Sequence, residues 1–327
     1  MSLTQWLTIL GLVFGGCCAN VSALESLVKG KPNMGSILTF CQFGFIAVEG
    51  YIQHFSISHP KRLFIKPTHI PVYRWMCSVV LFFFVSILNN SVWQYDISVP
   101  FHIIFRSSAT GITMIIGYMF GKRYTKKQIL STVMLTVGCI VVTLSNANTA
   151  DPTGETVDKG DFYLGIIILA LACVLMSLLG LHNEYLFRTY GNHWREGFFY
   201  SHFLSVPLAL FILPTLHKEW KVIWDLSVED IAVGNYFKLP FLDTKLNKNF
   251  GWLTFNCVTQ YFCVRGVNML AGSTTALTLN IVLMIRKFVS LLLSMYFFGN
   301  RLTFDGYVGS IMVLVGATMY SYASMKK

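Results

Sequence analysis

The chain reads as an all-α polytopic membrane protein, with ten transmembrane helices arranged as a five-plus-five inverted repeat. Three observations predict this. Of 327 residues, 54% are hydrophobic and only 12% charged, where a soluble protein carries about 25% charged residues. The mean hydropathy is +0.57. Ten apolar stretches of membrane-crossing length follow one another, and part of the first half recurs in the second at a fixed offset.

The stretches cover about 4–23, 34–54, 71–92, 99–121, 127–146, 161–186, 197–215, 251–270, 274–298 and 304–323. A helix needs roughly 20 residues to cross the hydrocarbon core, and helices satisfy their own backbone there. Turn and charge signals fill the breaks: Lys29-Gly30-Lys31-Pro32, His59-Pro60-Lys61-Arg62, and Asp151-Pro152-Thr153-Gly154. In the longest connection, 216–249, Trp220, Ile223 and Trp224 fall at helical spacing among charges. That spacing predicts a short helix lying on the membrane surface.

The first stretch has no basic leader or cleavage site and is read as an uncleaved span. The net charge of +10 is read as topology rather than as nucleic-acid binding. With the N-terminus in the cytosol, Lys61, Arg62, Lys122, Arg123, Lys126, Lys127, Arg188, Arg195 and the tail Lys326-Lys327 share that side, so both termini are expected there. The eight cysteines all fall in apolar stretches without metal-ligand spacing, so apolar packing is expected of them and no disulfide.

The repeat is explicit. Tyr118-Met119-Phe120-Gly121-Lys122-Arg123-Tyr124-Thr125 is answered by Tyr296-Phe297-Phe298-Gly299-Asn300-Arg301-Leu302-Thr303. The offset of 178 takes Gly121 to Gly299 and also Gly138 to Gly316. Five spans duplicated insert upside down, a plan found in secondary transporters. The expected division is a first repeat over 1–147, a linker over 148–160 and a second repeat over 161–327. Gly11 with Gly15, and Gly111 with Gly117, would let spans approach closely.

The most informative residues are Arg286 and Lys287, at the middle of an apolar run. A cation at membrane depth costs on the order of 2.5–3.5 kcal/mol and must meet a wet cavity or a partner. Arg106 adds a third cation from the first half. Glu49 is the only carboxylate placed well inside a stretch, so positive charge is in excess and an anionic substrate is expected. Arginine can grip phosphate with two hydrogen bonds, and lysine acts as a point charge. Adjacent helical residues point about 100° apart, so one of Arg286 and Lys287 can meet phosphate while the other meets Glu49 or a carbonyl. Arg106 has phosphate or Glu49 as its options.

Phe199-Tyr200-Ser201-His202 sets an aromatic, a hydroxyl and an imidazole at the start of the seventh stretch. Asn20, Gln42, Asn89, Asn268 and Asn280 are further polar groups in apolar surroundings. His54, His59 and His69 flank a proline-rich connection with no carboxylate or cysteine nearby, so no metal site is expected. There is no catalytic triad, no carboxylate pair and no phosphate-binding GxxxxGK[ST] loop. No catalytic residue and no cofactor are expected.

Gly15-Gly16-Cys17-Cys18-Ala19-Asn20, Thr39-Phe40-Cys41-Gln42-Phe43, Pro100 through Ser107, Phe199-Tyr200-Ser201-His202 and Arg286-Lys287-Phe288-Val289-Ser290 together resemble the nucleotide-sugar transporter family, within the drug/metabolite transporter superfamily. The resemblance covers essentially the whole chain. It lies with the members that carry UDP-N-acetylglucosamine and UDP-xylose. It implies ten helices with cytosolic termini in Golgi or endoplasmic reticulum membranes, and exchange of UDP-sugar for UMP. Family members carry Phe-Tyr-Asn-Asn where this chain has Phe199-Tyr200-Ser201-His202, and a lysine near the phosphates that falls on Lys287.

The expected ligands are therefore UDP-sugar and UMP, with the lipid bilayer as surroundings, no nucleic acid, and a homodimer as one open arrangement. Arg286, Lys287 and Arg106 are expected to hold the phosphates, Tyr200, Ser201 and His202 the nucleoside, and Gln42, Glu49 and Asn89 the sugar. The alternatives are the same fold carrying ATP/ADP or an adenylyl sulfate, and a membrane-embedded enzyme acting on activated sugars.

Overall fold

Helix ends in this chain are fixed by side chains that take up N–H groups left unpaired by the helix itself. Ser2 and Gln5 form a reciprocal capping box, Gln5 N donating to Ser2 Oγ at 3.3 Å and Ser2 N to Gln5 Oε1 at 3.0 Å. Thr125 and Gln128 repeat it, with Gln128 N on Thr125 Oγ1 at 3.2 Å and Thr125 N on Gln128 Oε1 at 3.0 Å. Asn247 Oδ1 accepts Asn249 N at 2.8 Å, and Thr275 Oγ1 accepts Thr278 N at 3.2 Å.

A computed structural model describes residues 2–28, 34–60, 63–92, 95, 99–147, 159–232, 236–238, 245–298 and 304–325. The helices are α1 (Leu3–Gly11), a π-helical turn (Leu12–Gly16), α2 (Cys17–Val28), α3 (Gly35–His54), α4 (Val72–Ser91), α5 (Val99–Met119), α6 (Lys126–Ala147) and α7 (Lys159–Tyr190). They continue as α8 (Trp194–Phe203), a 3-10 turn (Pro207–Ile212), α9 (Leu213–Ala232), α10 (Lys248–Ser273), α11 (Ala276–Phe298) and α12 (Phe304–Met325). Among the described residues, five helical segments are long and apolar enough to cross a bilayer: Leu3–Leu24, Gly35–His54, Val72–Asn89, Tyr163–Tyr190 and Trp194–Val228.

Two compact units form, and neither coincides with a sequence half. One joins Met1–Val79 to Tyr190–Ser273, and the other joins Val80–Thr189 to Thr274–Lys327.

In the first unit, the π turn and α2 pack against α10. A Cβ on Gly16 would stand 2.9 Å from Cys263 N, and one on Gly266 would stand 2.7 Å from Leu12 Cβ. Only glycine fits at either point. The same close approach brings Cys17 to Cys263, Cα atoms 4.5 Å apart, as a disulfide. This corrects the expectation of eight packing thiols. A Cβ on Gly11 or Gly15 would meet nothing within 4 Å, so the expected GxxxG contact is made instead by Gly16 and Gly266.

The helix predicted around Trp220, Ile223 and Trp224 is present and longer than expected, 20 residues. Its residues belong to α9, which continues from the 3-10 turn and buries Leu216 and Ile223 with Met34 and Ile37 of the start of α3. Trp220 and Trp224 meet the Phe250 ring edge-on. A short antiparallel hairpin follows, β1 (Tyr236–Lys238) against β2 (Lys245–Asn247), a local departure from the all-helical reading.

In the second unit, α6 crosses α12 at a glycine contact. A Cβ on Gly138 would lie 2.8 Å from Gly309 O and 2.9 Å from Val313 N. One on Gly316 would lie 2.9 Å from Leu135 Cγ and 3.0 Å from Ser131 O. Moving 178 positions takes Gly138 to Gly316, Leu135 to Val313 and Ser131 to Gly309, so the two contact sets are reciprocal. A Cβ on Gly111 would meet nothing within 4 Å, while Gly117 is covered by the Tyr124 hydroxyl.

Gly138→Leu should destabilise the protein by about 1–3 kcal/mol through overpacking. Gly111→Ala, which has open space, should be neutral or slightly stabilising. Melting temperature in detergent separates the two.

Candidate functional site

The second unit holds the cation pair. Leu277, Ile281, Met284 and Phe288 are buried with Met114, Leu135, Cys139, Val142, Val313 and Tyr320. Spacings of 4, 3 and 4 residues make them one stripe of α11. At about 100° per residue, Arg286 falls on the opposite side of the helix from this stripe, while Lys287 falls beside it. Arg286 is half-buried and Lys287 exposed.

Asn280 shares the side of Lys287. Seven residues separate them, which is nearly two turns and about 10.5 Å along the axis. Asn280 Nδ2 donates to Thr113 Oγ1 at 2.9 Å. Thr113, fully buried, lies 2.8 Å from both Ala109 O and Ser177 Oγ. Its single proton goes to one of these, so its oxygen is left to accept from Asn280. Ser177 in turn reaches Cys173 O at 2.9 Å. The network fixes which way the Asn280 amide faces.

Asn89 is also in this unit and donates to Val85 O of its own helix at 2.8 Å. Arg106 lies on α5, and its side chain is outside the described residues.

The remaining expected site residues belong to the first unit. Tyr200 is buried and meets Phe199 edge-on, and Ser201 is half-buried. His202 is buried, its Nδ1 on Phe198 O at 2.7 Å and its ring edge-on to Phe43 and Phe198. Gln42 donates to Asn256 Oδ1 at 2.6 Å. Asn256, fully buried, exchanges hydrogen bonds with Asn20, giving 3.3 Å to Asn20 O and accepting Asn20 Nδ2 at 3.0 Å. Gln42 thus ties α3 to α10, and Asn20 ties α2 to the same Asn256. Glu49 accepts from Tyr261 Oη at 3.0 Å and from Gln53, and Arg265 Nη1 donates to the same Tyr261 oxygen at 2.8 Å.

The sequence reading missed three buried carboxylates that each take an N–H at or near the start of a distant helix. Glu219 Oε2 accepts Ile37 N at 2.8 Å at the start of α3. Glu184 Oε2 accepts Ala276 N at 2.8 Å at the start of α11, and also pairs with Lys122 and, at 3.0 Å, Arg188. Glu196 accepts Ile70 N at 3.1 Å and His69 N at 2.9 Å, just before α4. Nothing local marks their capping role, because the N–H groups they accept are 92 to 182 residues away. Beside Glu184, burial pushes the Tyr124 phenol up to about 12, with the Glu184 and Tyr320 charges adding to it. It stays protonated at physiological pH.

Glu196 also corrects the expectation that His69 has no carboxylate nearby, since His69 Nδ1 lies 2.6 Å from Glu196 Oε1. His69, His193 and Glu196 bring ligand-type atoms within 4.8 Å of one another. The two rings are stacked 4.1 Å apart and 8° from parallel, so their in-plane lone pairs run side by side instead of converging. With Glu196 already accepting backbone N–H groups, the cluster is a clamp on the loop before α4.

Comparison with known proteins settles the class. The model of the UAA transporter family matches residues 5–324. The chain belongs to the UAA transporter family. It is a membrane transporter rather than an enzyme.

It is 43% identical to the UDP-N-acetylglucosamine transporter YEA4 of Kluyveromyces lactis, over 98% of each chain. It is 41% identical to the protein of the same name in Saccharomyces cerevisiae, over 96% of this chain and 93% of that one. A Danio rerio UDP-xylose and UDP-N-acetylglucosamine transporter is 33% identical over 95% and 92%. A solved crystal structure with 11% sequence identity superposes with a TM-score of 0.63 over 98% of both chains, a likeness of fold.

Glu184→Ala in this UAA family member should cost about 3–5 kcal/mol, because it strands Lys122 and the first N–H of α11. Arg188→Ala, at a side chain 66% exposed, should change stability by less than about 1 kcal/mol. Thermal unfolding in detergent reads both.

Proposed function

We propose that this transporter is an antiporter moving cytosolic UDP-N-acetylglucosamine, UDP-xylose or both into the Golgi or endoplasmic reticulum lumen in exchange for UMP. The observation that carries this reading is near-full-length similarity, at 43% identity, to a relative named for UDP-N-acetylglucosamine. The chemistry of α11 agrees with it. An exposed lysine and a half-buried arginine in the middle of an apolar helix suit a charged phosphate guest.

In this reading, Lys287, Arg286 and Arg106 hold the phosphates. The last turn of α8, with Tyr200, Ser201 and His202, seats the uridine. The architecture is ten spans as an inverted repeat, first half 1–147 and second 161–327, with both termini in the cytosol. The reciprocal glycine contacts of α6 and α12 support the repeat, since a two-fold relation makes residue i touch j and the equivalent of j touch that of i. An empty, cation-bearing site closes reluctantly, and a bound anion lowers that cost. Exchange follows because the transporter reorients loaded.

In liposomes, uptake of UDP-N-acetylglucosamine should require UMP inside, and Lys287→Ala should abolish uptake while folded protein is retained. Equal uptake into empty vesicles would contradict exchange. Uptake driven by ATP or an adenylyl sulfate, and not by UMP, would move the assignment to another nucleotide.

A further inference from the structure

We propose that Asn280 is a sugar-specificity residue, its Oδ1 accepting a hydrogen bond from a hydroxyl or amide N–H on the sugar of the nucleotide sugar. The proposal rests on the transporter reading above and adds to it a residue that reads sugar instead of phosphate.

The geometry begins with the amide. Asn280 is half-buried, and its Nδ2 is committed to Thr113 Oγ1 at 2.9 Å. Thr113 is itself buried and tied to Ala109 O and Ser177 Oγ, each at 2.8 Å. The donor half of the amide is therefore spent on the protein, and the other half is an acceptor held in one orientation. An acceptor without a competing donor selects N–H and O–H groups and repels phosphate oxygens.

Its position fits the ligand. Asn280 and Lys287 lie on one side of α11, with nearly two turns between them, about 10.5 Å of rise. A lysine side chain reaches back over part of that distance, and one sugar ring fills the remainder. A phosphate on Lys287 thus leaves its attached sugar near Asn280. The other sugar candidates are less suited: Asn89 donates into its own helix, Gln42 to Asn256, and Glu49 accepts from Tyr261. Asn280 is an acceptor whose orientation a buried network sets from behind. Thr113 is then a positioning residue, acting only through Asn280.

The test is affinity of the purified full-length protein for UDP-N-acetylglucosamine and for UMP, which lacks the sugar. Asn280→Ala should weaken UDP-N-acetylglucosamine about 3- to 10-fold, the loss of one neutral hydrogen bond, and leave UMP unchanged. Thr113→Val should reproduce the selective loss in part, and Thr113→Ser, which keeps the hydroxyl, should restore it. Equal weakening of UMP would place Asn280 against the nucleotide or in fold maintenance and overturn the proposal. Unchanged UDP-N-acetylglucosamine affinity in Asn280→Ala would overturn it too. Wild-type protein that binds neither ligand would remove the transporter reading itself, and this proposal with it.

Discussion

A buried backbone N–H without a partner costs about 1–3 kcal/mol, and at three helix starts this chain meets that constraint with carboxylates brought from far away. Glu219, Glu196 and Glu184 each present oxygens to N–H groups at or just before the start of α3, α4 and α11. A helix N-terminus carries about half a positive charge, so each carboxylate is stabilised where it is buried. The link also ties an element to the beginning of another that is remote in sequence. Glu184 does most, since it holds the start of the helix that carries Arg286 and Lys287 and also pairs with Lys122 and Arg188.

Inside each unit the same economy of polar groups appears as a buried cluster. Asn20, Asn256 and Gln42 join α2, α3 and α10. Thr113, Ser177 and Asn280 join α5, α7 and α11. Polar contacts of this kind fix rotation of a helix about its axis, which apolar packing alone specifies weakly. For α11 the rotation matters, because it sets which side Lys287 and Asn280 occupy and which side Arg286 occupies.

What was legible in the sequence is what contrasts with its surroundings. Arg286 and Lys287 stand out against an apolar run, and the helical stretches stand out against charged breaks. Gly138 and Gly316 were matched by register, and their contacts are reciprocal in the structure. The residues that escaped notice depend on partners the sequence does not bring together. Cys17 and Cys263 lie 246 positions apart, each amid apolar neighbours, so nothing local marks them as a pair. Gly16 lies next to the Gly11 and Gly15 pattern, and only the π turn shows which glycine faces α10. Trp220, Ile223 and Trp224 showed a helix by their spacing, but not that Ile223 packs on Met34 and Ile37, more than 180 residues earlier. The acceptor role of Asn280 needs Thr113, 167 residues earlier.

The central claim is that a membrane-embedded cation on α11 takes a phosphate, and competition by a phosphate ladder tests it most directly. Uridine, UMP and UDP would be compared as competitors of bound UDP-N-acetylglucosamine, in wild type and in Lys287→Met. The account predicts that competition strengthens from uridine to the phosphorylated ligands in wild type and that this gain collapses in Lys287→Met. Uridine competing as well as UMP in wild type, or an undiminished gain in the variant, would contradict it.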